Sequence, residues 1–219
     1  IDKVFIQKHS SYHDNIKSRI HKKNITISFV PIQKLNKLTS YNHQGIVATI
    51  SPVSVQTLNY FENKIKNCDK CLILILDGIT DTKNFGAIIR TAECFGVDFI
   101  IIPKSGTSPI NGETIKSSSG AIFNVPICKV DHIRDAIFFL KEFGIKIIGS
   151  DDRASNDLFK YKFDSKTAII MGSEGDGIKK STLRLCDEKI SIKLYGKLSS
   201  LNVSVAAGIF LSEFKRQSV

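Results

Sequence analysis

Three segments of this chain bring Gly, Asn, Ser and isolated charges together at spacings that could hold a ligand. The first is Asn84-Phe85-Gly86-Ala87-Ile88-Ile89-Arg90. An amide at a helix start can cap backbone N–H groups, and a guanidinium offers a rigid fork of donors for phosphate or carboxylate. If the helix begins at Asn84, Arg90 lies about 600° further round it, so the two need not share a face. Taken alone, Asn84 reads as a cap and Arg90 as a surface charge. The second segment runs from Ile169 through Met171, Gly172, Ser173, Glu174, Gly175, Asp176 and Gly177 to Lys179, an apolar run entering a Gly-rich loop. It is not a triphosphate loop, because Ile178 follows the last glycine where Lys is required and two carboxylates would repel phosphate. Nor is it a dinucleotide fingerprint, which needs a third Gly where Lys180 stands and a place early in the chain. What remains is a loop with exposed backbone N–H groups and a carboxylate, suited to a neutral or cationic small ligand. The third segment, Ile190 to Ala206, passes through Ile192, Gly196, Ser199, Ser200, Leu201 and Asn202. Here Ser200 or Asn202 caps a final helix of small residues.

The elements that position these segments follow from apolar spacing. Cys71 to Leu76 is a continuous apolar run ended by Asp77-Gly78, the pattern of a parallel strand buried on both faces. Residues 84–95 place Phe85, Ile88, Ile89, Ala92 and Phe95 at helical spacing, with Asp81 or Thr82 as a possible cap. Further strands are expected at Phe99 to Ile102, Ile145 to Ile148, Thr167 to Met171 and Lys189 to Ile192, and helices at Ile133 to Phe143 and Val203 to Phe214. Strands alternating with helices imply a mostly parallel α/β sheet, and open sheets of that kind bind ligands at the carboxyl ends of their strands. Residues 1–54 carry short apolar stretches between basic segments, as a small αβ unit would. A polar, mixed stretch at 55–70 reads as a linker, and the main domain as 71–219.

The 219 residues suffice for one ordinary domain and a smaller one, with 42% hydrophobic and 24% charged residues excluding a disordered or collagenous chain. Net charge is +10, of which residues 1–70 carry +7 (11 Lys/Arg against 4 Asp/Glu), which favours a polyanionic partner at the N-terminal end. The longest apolar runs fall well short of the roughly 20 residues that cross a bilayer, so no membrane partner is expected. Cys68, Cys71, Cys94, Cys128 and Cys186 are an odd number without a signal peptide, the usage of a reduced, cytoplasmic protein. Cys68-x-x-Cys71 lacks the second pair a structural zinc requires, so no metal is expected. The only Met is Met171 and the sequence opens on Ile1, so an N-terminally truncated domain is expected.

In their order, the three segments resemble the SpoU (TrmH) family of SPOUT methyltransferases, whose motifs run N-x-G-x-x-x-R, then MG-x-E-G-x-G, then I-P-M-x-G-x-x-x-S-L-N-V-S-V-A. The likeness covers 71–219. His43-Gln44-Gly45-Ile46-Val47-Ala48 is similar to the end of the RNA-binding N-terminal domain of the bacterial large-subunit rRNA guanosine 2′-O-methyltransferase branch. The resemblance implies an α/β knot fold with a deep C-terminal trefoil knot, a homodimer, and S-adenosyl-L-methionine as cofactor. By motif position it implies that Gly172, Ile192 and Leu201 contact that donor, and that Asn84, Arg90, Glu174, Ser200 and Asn202 form the catalytic neighbourhood.

A ribose 2′-OH is a weak nucleophile, so transfer of a methyl group to it needs both positioning and proton removal. The family assigns activation of the hydroxyl to the motif arginine, here Arg90. A free guanidinium loses its proton only above about pH 12, so anchoring the adjacent phosphate is the simpler job. Lys193-Leu194 stands where the family has Pro-Met, which frees a φ angle and adds a backbone N–H in the donor loop. The implied substrate is a guanosine ribose in large-subunit rRNA. The alternatives are tRNA, a non-catalytic RNA-binding or assembly factor on the same fold, and an enzyme unrelated to RNA.

Overall fold

In the computed structural model, which describes residues 1–8 and 14–218, the chain forms two compact units, Ile1–Pro52 and Val53–Val219. The first contains β1 (Lys3–Gln7), α1 (Asp14–His21), β2 (Thr26–Val30), α2 (Ile32–Leu38) and β3 (Ile46–Thr49). Strand β1 is central, parallel to β2 and antiparallel to β3. Its alternation buries Val4 and Ile6 with Ile20, while the intervening residues are only partly covered. The chain enters β3 through His43-Gln44-Gly45, with φ +48° at Gln44 and +81° at Gly45. The His43 ring holds this turn from both sides. Its Nε2 pairs with Asn36 Oδ1 at 2.8 Å, and Nδ1 accepts from the Gly45 N–H at 3.0 Å.

The second unit adds β4 (Val55–Gln56), α3 (Leu58–Asn67), β5 (Cys71–Asp77), α4 (Thr82–Cys94), β6 (Phe99–Pro103), α5 (Gly112–Ser117), β7 (Ile127–Val130) and α6 (Ile133–Glu142). There follow β8 (Lys146–Ser150), β9 (Asn156–Asp157), β10 (Lys166–Gly172), α7 (Lys180–Leu183), β11 (Glu188–Ser191) and α8 (Val203–Ser218). The eight strands pair in the order β4-β7-β6-β5-β10-β8-β11-β9, every pair parallel. Alternation along the central strands divides the core in two. Leu72, Leu74 and Leu76 of β5 join Ile169 and Met171 of β10 under α4 and α8. Cys71, Ile73 and Ile75 join Ala168 and Ile170 under α3 and α6.

The mostly parallel α/β sheet agrees with the sequence reading, but the expected linker does not. Residues 55–70 are β4, which extends the sheet beside β7, and α3, whose Phe61 and Ile65 are fully buried. Phe61 stacks on Phe99 of β6 at 4.0 Å between ring centres. Burial of two large side chains outweighs the polar composition of the rest of that helix. Strand order reverses direction between β5 and β10, since β6 and β7 extend one way from β5 and β8 and β11 the other. Their carboxyl ends, Asp77 and Gly172, lie side by side in register, which is where such a sheet opens a crevice.

Candidate active site

Three loops meet at that crevice. The first leaves β5 and enters α4, whose cap is Asp81: its Oδ1 accepts from the Asn84 N–H at 2.7 Å. The helix therefore starts two residues before Asn84, and the Asn84 side chain is released from capping. Gly86 has a packing reason. A Cβ there would lie 1.9 Å from Ser117 Oγ, because α5 crosses α4 at this point.

The second loop leaves β10. A Cβ on Gly172 would sit 2.0 Å from the Gly177 carbonyl carbon and 2.1 Å from the Ile178 nitrogen, so the returning backbone occupies the space a side chain would need. Ser173 and Gly177 exchange two backbone hydrogen bonds, of 3.0 and 3.1 Å, closing the loop on itself. Its tip, Glu174 to Asp176, is exposed, with φ +92° at Gly175.

The third loop, from β11 to α8, ends in Asn202, which settles the capping alternative against Ser200. Asn202 Oδ1 accepts from the Ser204 N–H at 2.9 Å, the Ser204 hydroxyl at 2.5 Å and the Val205 N–H at 3.4 Å. The amide nitrogen of the same side chain has two hydrogens. It donates to Asn84 Oδ1 at 3.0 Å and to Glu174 Oε1 at 2.6 Å. One side chain thus joins all three motifs. Asn84, Glu174, Thr80, Asp81, Ser173 and Val203 enclose a small cavity of about 60 Å³ at the junction.

Arg90 and Ser200 stand apart from this network. Both are exposed, and among the described residues neither side chain makes a hydrogen bond or ion pair. For Arg90 this leaves the whole guanidinium fork open to a partner outside the chain. Beside the third loop lies a cleft of about 760 Å³ whose lining includes Ile192, Leu194, Gly196, Asp157, Tyr161 and Glu188. Ile192 therefore lines a cavity within the roughly 300–1,000 Å³ range of small-ligand sites. Gly172 and Leu201 lie outside that lining, the former under the second loop and the latter half-exposed next to Asn202. The Tyr161 hydroxyl is pushed up to about 12 by burial, with help from Asp164, Glu188 and Asp187, so it remains a donor at neutral pH. Asp157, Tyr161 and Glu188 carried no sequence signal, since nothing in their spacing links them to the three motifs. No three His, Cys, Asp or Glu gather into a metal site among the described residues, and no helix there is long and apolar enough to cross a membrane.

Both units of the chain are similar to known proteins. Residues 71–212 match the model of the SpoU rRNA Methylase family, and residues 1–56 that of RNA 2'-O ribose methyltransferase substrate binding. The chain is 39% identical over 182 residues to 23S rRNA (guanosine-2'-O-)-methyltransferase RlmB of Vibrio vulnificus, covering 83% of this chain and 74% of that protein. It is 39% identical over 175 residues to the protein of the same name from Escherichia coli K12, covering 80% and 72%. Among solved structures, the SpoU methyltransferase AviRb from Streptomyces viridochromogenes in complex with AdoMet superposes with a TM-score of 0.81 at 22% identity, over all of this chain and 83% of that one. The A. aeolicus TrmH/SpoU tRNA modifying enzyme does so with a TM-score of 0.62 at 29% identity, over 73% and 81%. With both family models matched in order and three motifs converging on one amide, the chain belongs to the SpoU rRNA methylase family.

Proposed function

We propose that this protein transfers a methyl group from S-adenosylmethionine to the ribose 2′-OH of a guanosine in large-subunit rRNA. The observation that carries the reading is the Asn202 amide, which ties Asn84 of the first motif to Glu174 of the second at the β5/β10 reversal. The names of the relatives supply the substrate, and the match of residues 1–56 to a substrate-binding model accords with the net +7 of residues 1–70.

The donor fits the residues present. The cleft beside Ile192 is large enough, and Ile192 and Leu194 offer apolar surface to an adenine while Asp157 and Glu188 offer carboxylates to a cationic molecule. When bound, S-adenosylmethionine supplies a methyl group on a sulfonium, ready for in-line attack. The chain's own residues position the loops and the RNA. Gly172 lets the Glu174 loop close, Ile192 lines the cleft that takes the donor, and Leu201 follows it on the same loop, just before Asn202. Arg90 holds the phosphate next to the target ribose with its unpaired fork, which places the 2′-OH. Glu174, through Asn202 and Asn84, fixes the three loops, and Ser200 contributes a hydroxyl near the transfer point. The same reading takes the protein as a cytoplasmic homodimer with a trefoil knot in its second unit, as the family resemblance implies.

The test is transfer of labelled methyl from S-adenosylmethionine to unmodified large-subunit rRNA and to bulk tRNA, comparing the wild type with Arg90→Ala. The expected result is ribose label on rRNA that falls about 100-fold in the variant. Label on tRNA alone would move the substrate. No transfer to either RNA by a folded protein would make it a binding factor.

A further inference from the structure

Asp77 is a carboxylate at the end of a strand whose other residues are apolar, and only 1% of it is exposed. A charge that deep persists only with partners. Among the described residues, both partners of its side chain come from one residue. The Lys179 N–H donates to Oδ2 at 3.3 Å, and the Lys179 ammonium lies 3.5 Å from Oδ1. Lys179 is 102 residues away in sequence, and it is the first residue after the Gly-rich loop and its buried foot, Ile178.

The same strand end therefore holds both feet of that loop. Gly172 is in register with Asp77 in the β5/β10 ladder, and Lys179 is held by the Asp77 side chain. Between the feet, Ser173 and Gly177 close on each other and present Glu174 to Asn202. Among the described residues the side chains of the loop tip, Glu174 and Asp176, make no hydrogen bond besides that to Asn202, so the feet decide where the Glu174 carboxylate stands.

We infer that Asp77 is a positioning residue for methyl transfer: through its ion pair with Lys179 it sets the Glu174 loop against Asn202, without itself touching donor or RNA. The inference rests on the function proposed above. Loss of the pair leaves the sheet and its core in place but lets the second foot of the loop shift. The effect then falls on the rate of the chemical step and not on capture of RNA.

The test uses the full chain and four variants: Asp77→Asn, which keeps shape and an acceptor for the Lys179 N–H; Lys179→Met; the two combined; and Lys179→Arg. Lys179→Met leaves the buried Asp77 carboxylate without its cation, whereas Asp77→Asn and the combined variant bury no unpaired charge, so those two keep the test open if Lys179→Met does not fold. Three quantities are read: amide hydrogen exchange at Ser173 and Gly177, kcat, and KM for rRNA. The expected result is exchange about tenfold faster and kcat about tenfold lower in Asp77→Asn and in Lys179→Met, with KM for rRNA within about twofold of the wild type. The combined variant is no worse than either single one, and Lys179→Arg restores both exchange and kcat. Wild-type kcat in Lys179→Met, additive losses in the combined variant, or no rescue by Arg would overturn the inference. A wild type that transfers no methyl group would sink the proposed function instead; unchanged exchange in Lys179→Met would then overturn the tether on its own.

Discussion

Asn202 uses every polar atom of its side chain: the oxygen caps α8 and the two amide hydrogens reach Asn84 and Glu174. The two duties separate in one substitution. Aspartate caps a helix about as well as asparagine, but it has no N–H to donate and would set a second carboxylate beside Glu174. Asn202→Asp is therefore expected to unfold within about 0.5 kcal/mol of the wild type. Its methyl-transfer rate is expected to fall about 100-fold, read by thermal unfolding and single-turnover transfer on the same preparation. Equal activity in the variant would remove the bridge from the site. Arg90 teaches the opposite lesson. Among the described residues its side chain has no internal partner, so under the proposed function its contribution comes from contact with RNA, and the spacing of six residues already meant that it need not share a face with Asn84.

Among the elements, α8 links the site to the cleft beside the third loop. Its Glu213 is 5% exposed and accepts from Arg216 Nη2 at 2.7 Å and Nε at 2.8 Å, and from Gln217 Nε2 at 2.7 Å. Gln217 in turn donates to the Tyr161 carbonyl at 2.8 Å and accepts from the Phe163 N–H at 3.0 Å, pinning the wall of the cleft to the helix. The Arg216 guanidinium holds the Glu213 carboxyl down to about 2, against an ordinary value of 4.5. A depressed carboxyl stabilises the fold above its unfolded value, and that stabilisation is lost as pH falls toward the folded one. Between pH 5 and pH 2 the thermal midpoint of the wild type should therefore fall more steeply than that of Glu213→Gln, as followed by circular dichroism. Parallel curves would mean that the pair adds nothing to stability. Elements buried on both faces, β5, β6 and β10, were legible because continuous apolar runs admit few other readings. Helix α3 was hidden by its lysines and asparagines, although Leu58, Phe61 and Ile65 do keep helical spacing. Strands β4 and β9 have two residues each, and only their neighbours make them strands. The site was legible as three motifs, while the contacts that join them span up to 118 residues and leave no trace in local pattern.

At the scale of the whole molecule, charge is divided unevenly: residues 1–70 carry +7 of the net +10. Affinity for RNA should accordingly fall linearly with the logarithm of salt concentration, with a slope of about −3 or steeper, while donor affinity stays nearly flat. Filter binding and calorimetry over a salt series check this, and a flat RNA curve would deny the basic region a part in binding. The order of the three motifs along the chain has a further effect, on timing. Asn84 is translated first, Glu174 long after it, and Asn202 last. Until Asn202 has left the ribosome, the earlier two residues lack the group that unites them. Central strand β5 likewise waits for β10 before its second edge is covered. Under the proposed function, a growing chain therefore lacks the completed junction of the three motifs until Asn202 has been made and has emerged.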